Sequence, residues 1–363
     1  MDFGLSPEQT LAAESVRRFL DDNCSGERVR AVMESESGHD RELWAGLMEL
    51  GLGAVVVPEA YGGLGSEFLD LAVAAEQLGY ACTPGPFLAS AMASVALAHC
   101  RDEELKRQWL PRLASGEAVG TVAIGESGGR WEPDDMNTEA DADGRLSGSK
   151  AMVPYAQLAD IVVVSARSGE GPGLWAVEKG APGLATTALK ANDMTRRLGL
   201  LELSDTPGLR LGGDGEAFAR MRDAGLILVA ADAHGGSRRC LEMARDHALE
   251  REQFGQIIGA FQAVKHQLAN LAVEVEPGTA LYWYAAHAFD AMPESAPRQA
   301  AIAKARLCDV FDRAVRDSTE LHGGIGFTWE FDLQLWFRRS MFNRSFLGDS
   351  NYHRSRAAAL AAW

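Results

Sequence analysis

The sequence predicts a mostly α-helical α+β chain in three parts, helical, then β, then helical. Apolar residues recur at helical spacing from Ser6 to about Ser115 and again from Asp214 onward. Between about Gly116 and Gly213 the texture changes to short β-rich runs separated by Gly, Pro and Asp. The expected units are residues 1–115, 116–213 and 214–363, as suits a chain of 363 residues, longer than one hydrophobic core usually fills.

In the first third, Leu11, Val16, Phe19 and Leu20, then Leu43, Leu47 and Leu50, fall on helical faces. Ser6 before Pro7 and Glu8 suits an N-cap, a first-turn proline and an acidic residue near the positive helix end. In the middle third, TVAIG, LSGSKAMV, DIVVVSAR, GLWAV, LATTALKA and LGLLELS read as strands, with Asp141 to Gly144 as a hairpin turn. In the last third, residues 216–250, 260–290, 296–320 and about 332–345 are expected helices, the second kinked or broken at Pro277-Gly278.

Composition narrows the function. Lys and Arg total 35 against 51 Asp and Glu, a net charge of −16 with scattered basic residues, which disfavours a nucleic-acid partner. The five cysteines, Cys24, Cys82, Cys100, Cys240 and Cys308, are far apart and never form a CxxC, so no disulfide framework or metal site is expected. A reducing cytoplasm fits them. The start of the chain lacks the basic segment and apolar core of a signal peptide, and no apolar run reaches the length of a membrane span.

Three stretches carry a resemblance. Val57-Pro-Glu-Ala-Tyr-Gly-Gly-Leu-Gly65, followed by Glu76-Gln-Leu-Gly79, lies in the first third. Leu249-Glu-Arg-Glu-Gln-Phe-Gly-Gln256, then Phe261-Gln262, opens the last third. Leu321-His-Gly-Gly-Ile-Gly-Phe-Thr-Trp-Glu330 follows, with three glycines that let backbone amides approach a ligand. In this order and spacing they resemble the acyl-CoA dehydrogenases. The resemblance implies an N-terminal helical domain, a central β-barrel or sandwich domain and a C-terminal four-helix bundle. It also implies FAD at subunit interfaces of a homo- or hetero-tetramer, an acyl-CoA substrate, and an electron-transferring flavoprotein as acceptor. Arg251, Gln253, Phe254 and Gln262 would reach FAD across the interface, and Gly323, Gly324 and Gly326 would lie against it. A guanidinium fork and side-chain amides suit a pyrophosphate.

Desaturating an acyl thioester needs a carboxylate beside Cα to take the α-proton and donors around the thioester oxygen. The family keeps its Glu base in one of two places. The commoner, in a Glu-Gly-Thr seven residues ahead of an arginine, aligns with Leu347 once Gly348 and Arg354 are matched; the other aligns with Gly225. Neither residue accepts a proton. Asp349, two residues on, is the replacement candidate if the loop shifts register, with N-cap as its commoner role. His322 and His353 lie nearby. Glu320 stands where the family usually has glutamine, and Glu126 to Trp131 and Met152 to Tyr155 replace its usual flavin-contacting segments. There Trp131 and Tyr155 are the aromatics available for stacking, packing being the usual role of such residues.

The sequence fits, and its His322-Gly-Gly-Ile-Gly-Phe-Thr-Trp-Glu330 stretch resembles, a subclass of bacterial acyl-CoA dehydrogenase-like proteins. In that subclass two related chains form a mixed tetramer acting on CoA esters of steroid side chains and other bulky acids. The alternatives are a self-sufficient homomeric enzyme using Asp349, and a non-catalytic CoA-ester binder or scaffold.

Overall fold

The computed structural model describes residues 4–212 and 214–361. The first part is helical: α1 (Pro7–Asn23), α2 (Gly26–Glu34), α3 (Arg41–Glu49), α4 (Phe68–Tyr80), α5 (Phe87–Ala98) and α6 (Glu103–Ser115). Ser6 caps α1 as its sequence predicts: its hydroxyl accepts from the Gln9 amide while the Gln9 side chain accepts from the Ser6 amide, a reciprocal capping box. Helices α4 and α5 are apolar nearly all round and buried, which places them inside the molecule rather than on its rim.

All six predicted runs form strands: β1 (Gly120–Ala123), β3 (Arg145–Pro154), β4 (Ile161–Ser168), β5 (Gly171–Glu178), β6 (Leu184–Leu189) and β7 (Leu198–Pro207). Two-residue strands β2 (Glu139–Ala140) and β8 (Leu209–Arg210) complete an eight-stranded sheet in the order β6-β7-β3-β2-β4-β5-β8, with β1 on β4. The pairing of β1 with β4 is parallel, that of β4 with β5 and β3 with β7 antiparallel. The turn at Asp141 to Gly144 joins β2 to β3, with Gly144 at φ +77°. Alternation along β4 sends Val162 and Val164 into one apolar cluster, with Trp175 and Leu201, and Ile161 and Val163 into the larger cluster shared with the helices.

The last part begins with α7 (Asp214–Glu250), then a hairpin of β9 (Glu252–Gln253) and β10 (Gln256–Ile257). It continues through α8 (Gln262–Val275), α9 (Gly278–Ala291), α10 (Ala296–His322), α11 (Leu333–Ser345) and α12 (Ser350–Leu360). The expected helix 260–290 is two helices, broken at Pro277. Helix α12 is an addition to the expectation.

Long α7 is the spine of the molecule, packed against α4, α5, α9, α10 and α11. Its crossing with α4 is backbone on backbone: a Cβ at Gly79 would overlap the Asp232 main chain, and one at Gly235 the Glu76 main chain. A buried polar cluster ties all three parts together. The Arg339 guanidinium (α11) donates to Asp193 (3.0 Å), Asp232 (2.8 Å) and the Thr83 carbonyl (2.8 Å), and Arg196 also donates to Asp232 (2.8 Å). Among the described residues no helix is long and apolar enough to cross a membrane. No group of three or more His, Cys, Asp or Glu there could hold a metal ion. All five cysteines are free and buried.

Candidate functional site

The two positions where a base is expected meet in space. A Cβ built on Gly225 would lie 2.7 Å from Met92 Cε and 2.8 Å from Leu347 Cδ1, so these side chains already fill the ground beside Gly225. Leu347 is buried and has φ +62°, a conformation that leucine rarely adopts. Two contacts hold it there. The His353 imidazole lies 2.9 Å from the Leu347 carbonyl, and the buried Lys304 ammonium donates to the carbonyls of Gly348 (3.1 Å) and Arg344 (3.3 Å). Burial, helped by Lys304, pushes the His353 pKa down to about 3, so the ring is neutral and donates through Nε2. Phe346 stacks on Phe342 and meets Trp131 edge-on, closing the same region from the β part. Neither Leu347 nor Gly225, the two positions expected to hold a base, carries a titratable side chain.

Asp349 is an exposed helix cap: its carboxylate accepts from the Tyr352 amide at 2.8 Å, at the start of α12. His322 Nδ1 donates to the Ser318 carbonyl (2.7 Å). Tyr155 is buried, its hydroxyl donating to the Thr195 carbonyl (2.9 Å) and accepting from the Gly85 amide (2.8 Å). Glu126 is a structural bolt. It accepts from Lys150 Nζ (2.8 Å), the Asn137 amide (2.7 Å), and the Thr138 amide (3.0 Å) and hydroxyl (2.7 Å). Burial alone would raise its pKa, but these donors hold it at about 2. Glu132, on the same loop, accepts from Arg222 on α7 (3.1 Å) and from the Tyr352 hydroxyl on α12.

A second group of expected site residues gathers at the other end of α7. Arg251 follows α7, and its side chain makes no ion pair among the described residues, although Glu250 and Glu252 flank it. Gln253, Phe254 and Gln262 are exposed. Phe254 is 90% exposed and sits at φ +56° in the β9–β10 turn. The Ile258 amide folds back onto the Arg251 carbonyl (2.8 Å), which sets the turn beside the start of α8, a helix N-terminus without a side-chain cap. One free guanidinium and an uncapped helix N-terminus suit an anionic diphosphate.

The glycine loop belongs to this edge. His247, one turn before Arg251, stacks on His322 with ring centroids 4.3 Å apart, and Gly323 follows directly. Nothing lies within 4 Å of a Cβ built on Gly323 or Gly324, so their backbone is open to a ligand, whereas Gly326 is buried against Thr319. Gly323 needs its φ of +64° to end α10. Glu320 is exposed near this edge. The residues present thus fit the pyrophosphate side of FAD.

Sequence reasoning named both groups but not their separation. Gly225 lies in the first half of α7 and Arg251 just past its C-terminal end, roughly 39 Å apart at 1.5 Å per residue. Met92 and His247 were not singled out, since no local motif marks either. A cavity of about 1570 Å3 lies elsewhere, between α1, α4, α9 and residues 49–55, and none of the expected site residues lines it.

Residues 6–117 match the model of the acyl-CoA dehydrogenase N-terminal domain, and residues 217–361 that of the acyl-CoA dehydrogenase C-terminal domain. Acyl-CoA dehydrogenase IpdE2 of Mycolicibacterium smegmatis is 34% identical over 346 residues, covering 95% of this chain and 96% of that protein. Among solved structures, a Tcur3481-Tcur3483 steroid ACAD variant is 32% identical with a TM-score of 0.91, over 98% of both chains. The ChsE4-ChsE5 complex from Mycobacterium tuberculosis is 27% identical with a TM-score of 0.91, over 100% of this chain and 99% of that one. Two matching domain models, a relative aligned almost end to end and the same three-part fold lead to one conclusion: this chain belongs to the acyl-CoA dehydrogenase family of oxidoreductases.

Proposed function

We propose that the chain is the base-lacking subunit of a heteromeric, FAD-dependent acyl-CoA dehydrogenase that desaturates a bulky acyl-CoA thioester. The observation that carries this reading is the meeting of Gly225 and Leu347. Both places where the family holds its Glu are apolar, and Met92 closes the space between them. A carboxylate is needed within about 3 Å of the α-proton, and neither Gly225 nor Leu347 supplies one.

The cofactor end is compatible with this reading. Arg251 and the Gly323–Gly326 loop lie far along α7 from the base position, so they serve a reactive centre other than this chain's own Gly225–Leu347 region. In a mixed assembly that centre belongs to the companion chain. Bound FAD would take the β-hydrogen as hydride, and the companion's carboxylate would take the α-proton. Arg251, Gln253 and Gln262 would hold the pyrophosphate, Phe254 would pack at its side, and the amides of Gly323 and Gly324 would face it. An electron-transferring flavoprotein is the acceptor the family implies. The steroid ACAD among its structural neighbours favours a polycyclic or otherwise bulky CoA ester.

Asp349 as a base would have to give up its bond to the Tyr352 amide and reach past Gly348. The test uses the assembled enzyme with its companion chain. Asp349→Asn in this chain should leave turnover within about twofold. Replacing the companion's aligned Glu by Gln should lower it by about 10²–10⁴-fold. The opposite pattern would assign the base to this chain.

A further inference from the structure

The glycine loop is tied down by a residue from the opposite end of the sequence. Arg30 lies on α2, and its side chain is only 17% exposed. Its Nε donates to the Trp329 carbonyl (3.1 Å), Nη2 to the Glu330 carbonyl (2.8 Å), and Nη1 pairs with Asp332 Oδ1 (2.7 Å). All three nitrogens of one planar fork therefore engage residues that end the loop and lead into α11. Gly26, one turn earlier, lets α2 lie against the same place, since a Cβ there would overlap the Asp332 carboxylate.

Other contacts are made by rings and backbone: Gly326 is buried against Thr319, His322 meets Phe331 (4.8 Å) and Arg338 lies over Trp329 (5.2 Å), while the glycines at the start of the loop are open. Nothing lies within 4 Å on the Cβ side of Gly323 or Gly324. Ile325 and Phe327 are exposed. Its own short turn is closed by the Thr328 amide and hydroxyl on the Ile325 carbonyl (3.0 and 3.1 Å). One end is fixed by His322 against His247, the other by Arg30.

We propose that Arg30 is a positioning residue for the cofactor edge: by clamping residues 329–332 it holds the amides of Gly323 to Gly326 in the orientation a cofactor diphosphate needs. This rests on the reading of that loop as a cofactor contact. The N-terminal helical part thereby enters the cofactor site without touching the ligand.

The experiment compares Arg30→Gln, Arg30→Lys and a control, Arg28→Gln. The control removes an ion pair of the same helix with Asp40 (2.6 Å) and leaves the loop alone. Two readouts are taken. The FAD dissociation constant is measured on the flavin-loaded protein, with its companion chain where that is needed for loading. Amide hydrogen exchange over 323–330 is measured on the flavin-free protein. R30Q should weaken FAD about tenfold and speed exchange in that segment about tenfold, as expected for losing charge-assisted hydrogen bonds. R30K should fall between R30Q and the unsubstituted protein, and R28Q should change neither readout. R30Q behaving like R28Q in both would overturn the proposal. If the unsubstituted protein takes up no FAD in any assembly, the cofactor reading fails separately. The exchange result then decides alone, since unchanged exchange would still overturn the clamp and faster exchange would sustain it.

Discussion

At Leu347 a positive φ, an apolar side chain and burial coincide, and the surrounding bonds explain how that combination persists. His353 and Lys304 fix the carbonyls of 344, 347 and 348, so the backbone is over-determined and the side chain is aimed at Gly225 and Met92. Leu347→Ala should cost about 2–5 kcal/mol in urea unfolding, the range for truncating a packed core leucine. A loss under about 0.5 kcal/mol would mean that the side chain does not fill this space. Glu126 yields a pH prediction. Its folded pKa of about 2 lies below the ordinary 4.5, so its stabilising contribution is fully present above pH 4.5 and is lost as pH falls towards 2. Glu126→Gln should flatten the acid dependence of stability across that window. At neutral pH it should cost about 3–5 kcal/mol, because Lys150 is left buried without its partner. Chemical denaturation of both proteins at a series of pH values checks it.

At the scale of elements, the segments with a strong period or a strong punctuating residue were legible in the sequence. The six β-rich runs, the capped start at Ser6 and the break at Pro277 all appear where the residues place them. Helix α12 was not legible, for a physical reason: of SNYHRSRAAAL only Ser350, His353 and Ala357 are buried, so no apolar stripe marks it, and Asp349 is its strongest signal. The β9–β10 hairpin is equally cryptic, since Phe254 takes a positive φ that its residue type disfavours. How the elements lock together was not legible either, because Arg339 joins partners far apart in sequence. Removing it strands Asp193 and leaves Asp232 with only Arg196 among its guanidinium partners. Arg339→Met should cost about 3–5 kcal/mol and loosen α11 against the β part. Loss of the β-part signal and of the helical signal at different denaturant concentrations would show that this cluster couples them less than its geometry indicates.

For the whole molecule, motifs marked the candidate site residues along the chain but could not say which of them share a place. Leu347 and Gly225 each lack a carboxylate, and only the fold brings the two vacancies together and fills them with Met92. Arg251 and Gly323 are distant in sequence, and the stacked pair His247 and His322 brings them to one edge. The length of α7 then separates that edge from the base position, and the proposal that the chain completes a companion's cofactor site and supplies no base rests on the carboxylate-free meeting of Gly225 and Leu347. Flavin content tests it most directly, read from the visible absorbance of the chain purified alone and again after co-expression with its companion. The account predicts a colourless protein alone and bound FAD, with acyl-CoA dehydrogenase activity, only in the mixed complex. One FAD per chain in a homomer that turns over acyl-CoA by itself would contradict it.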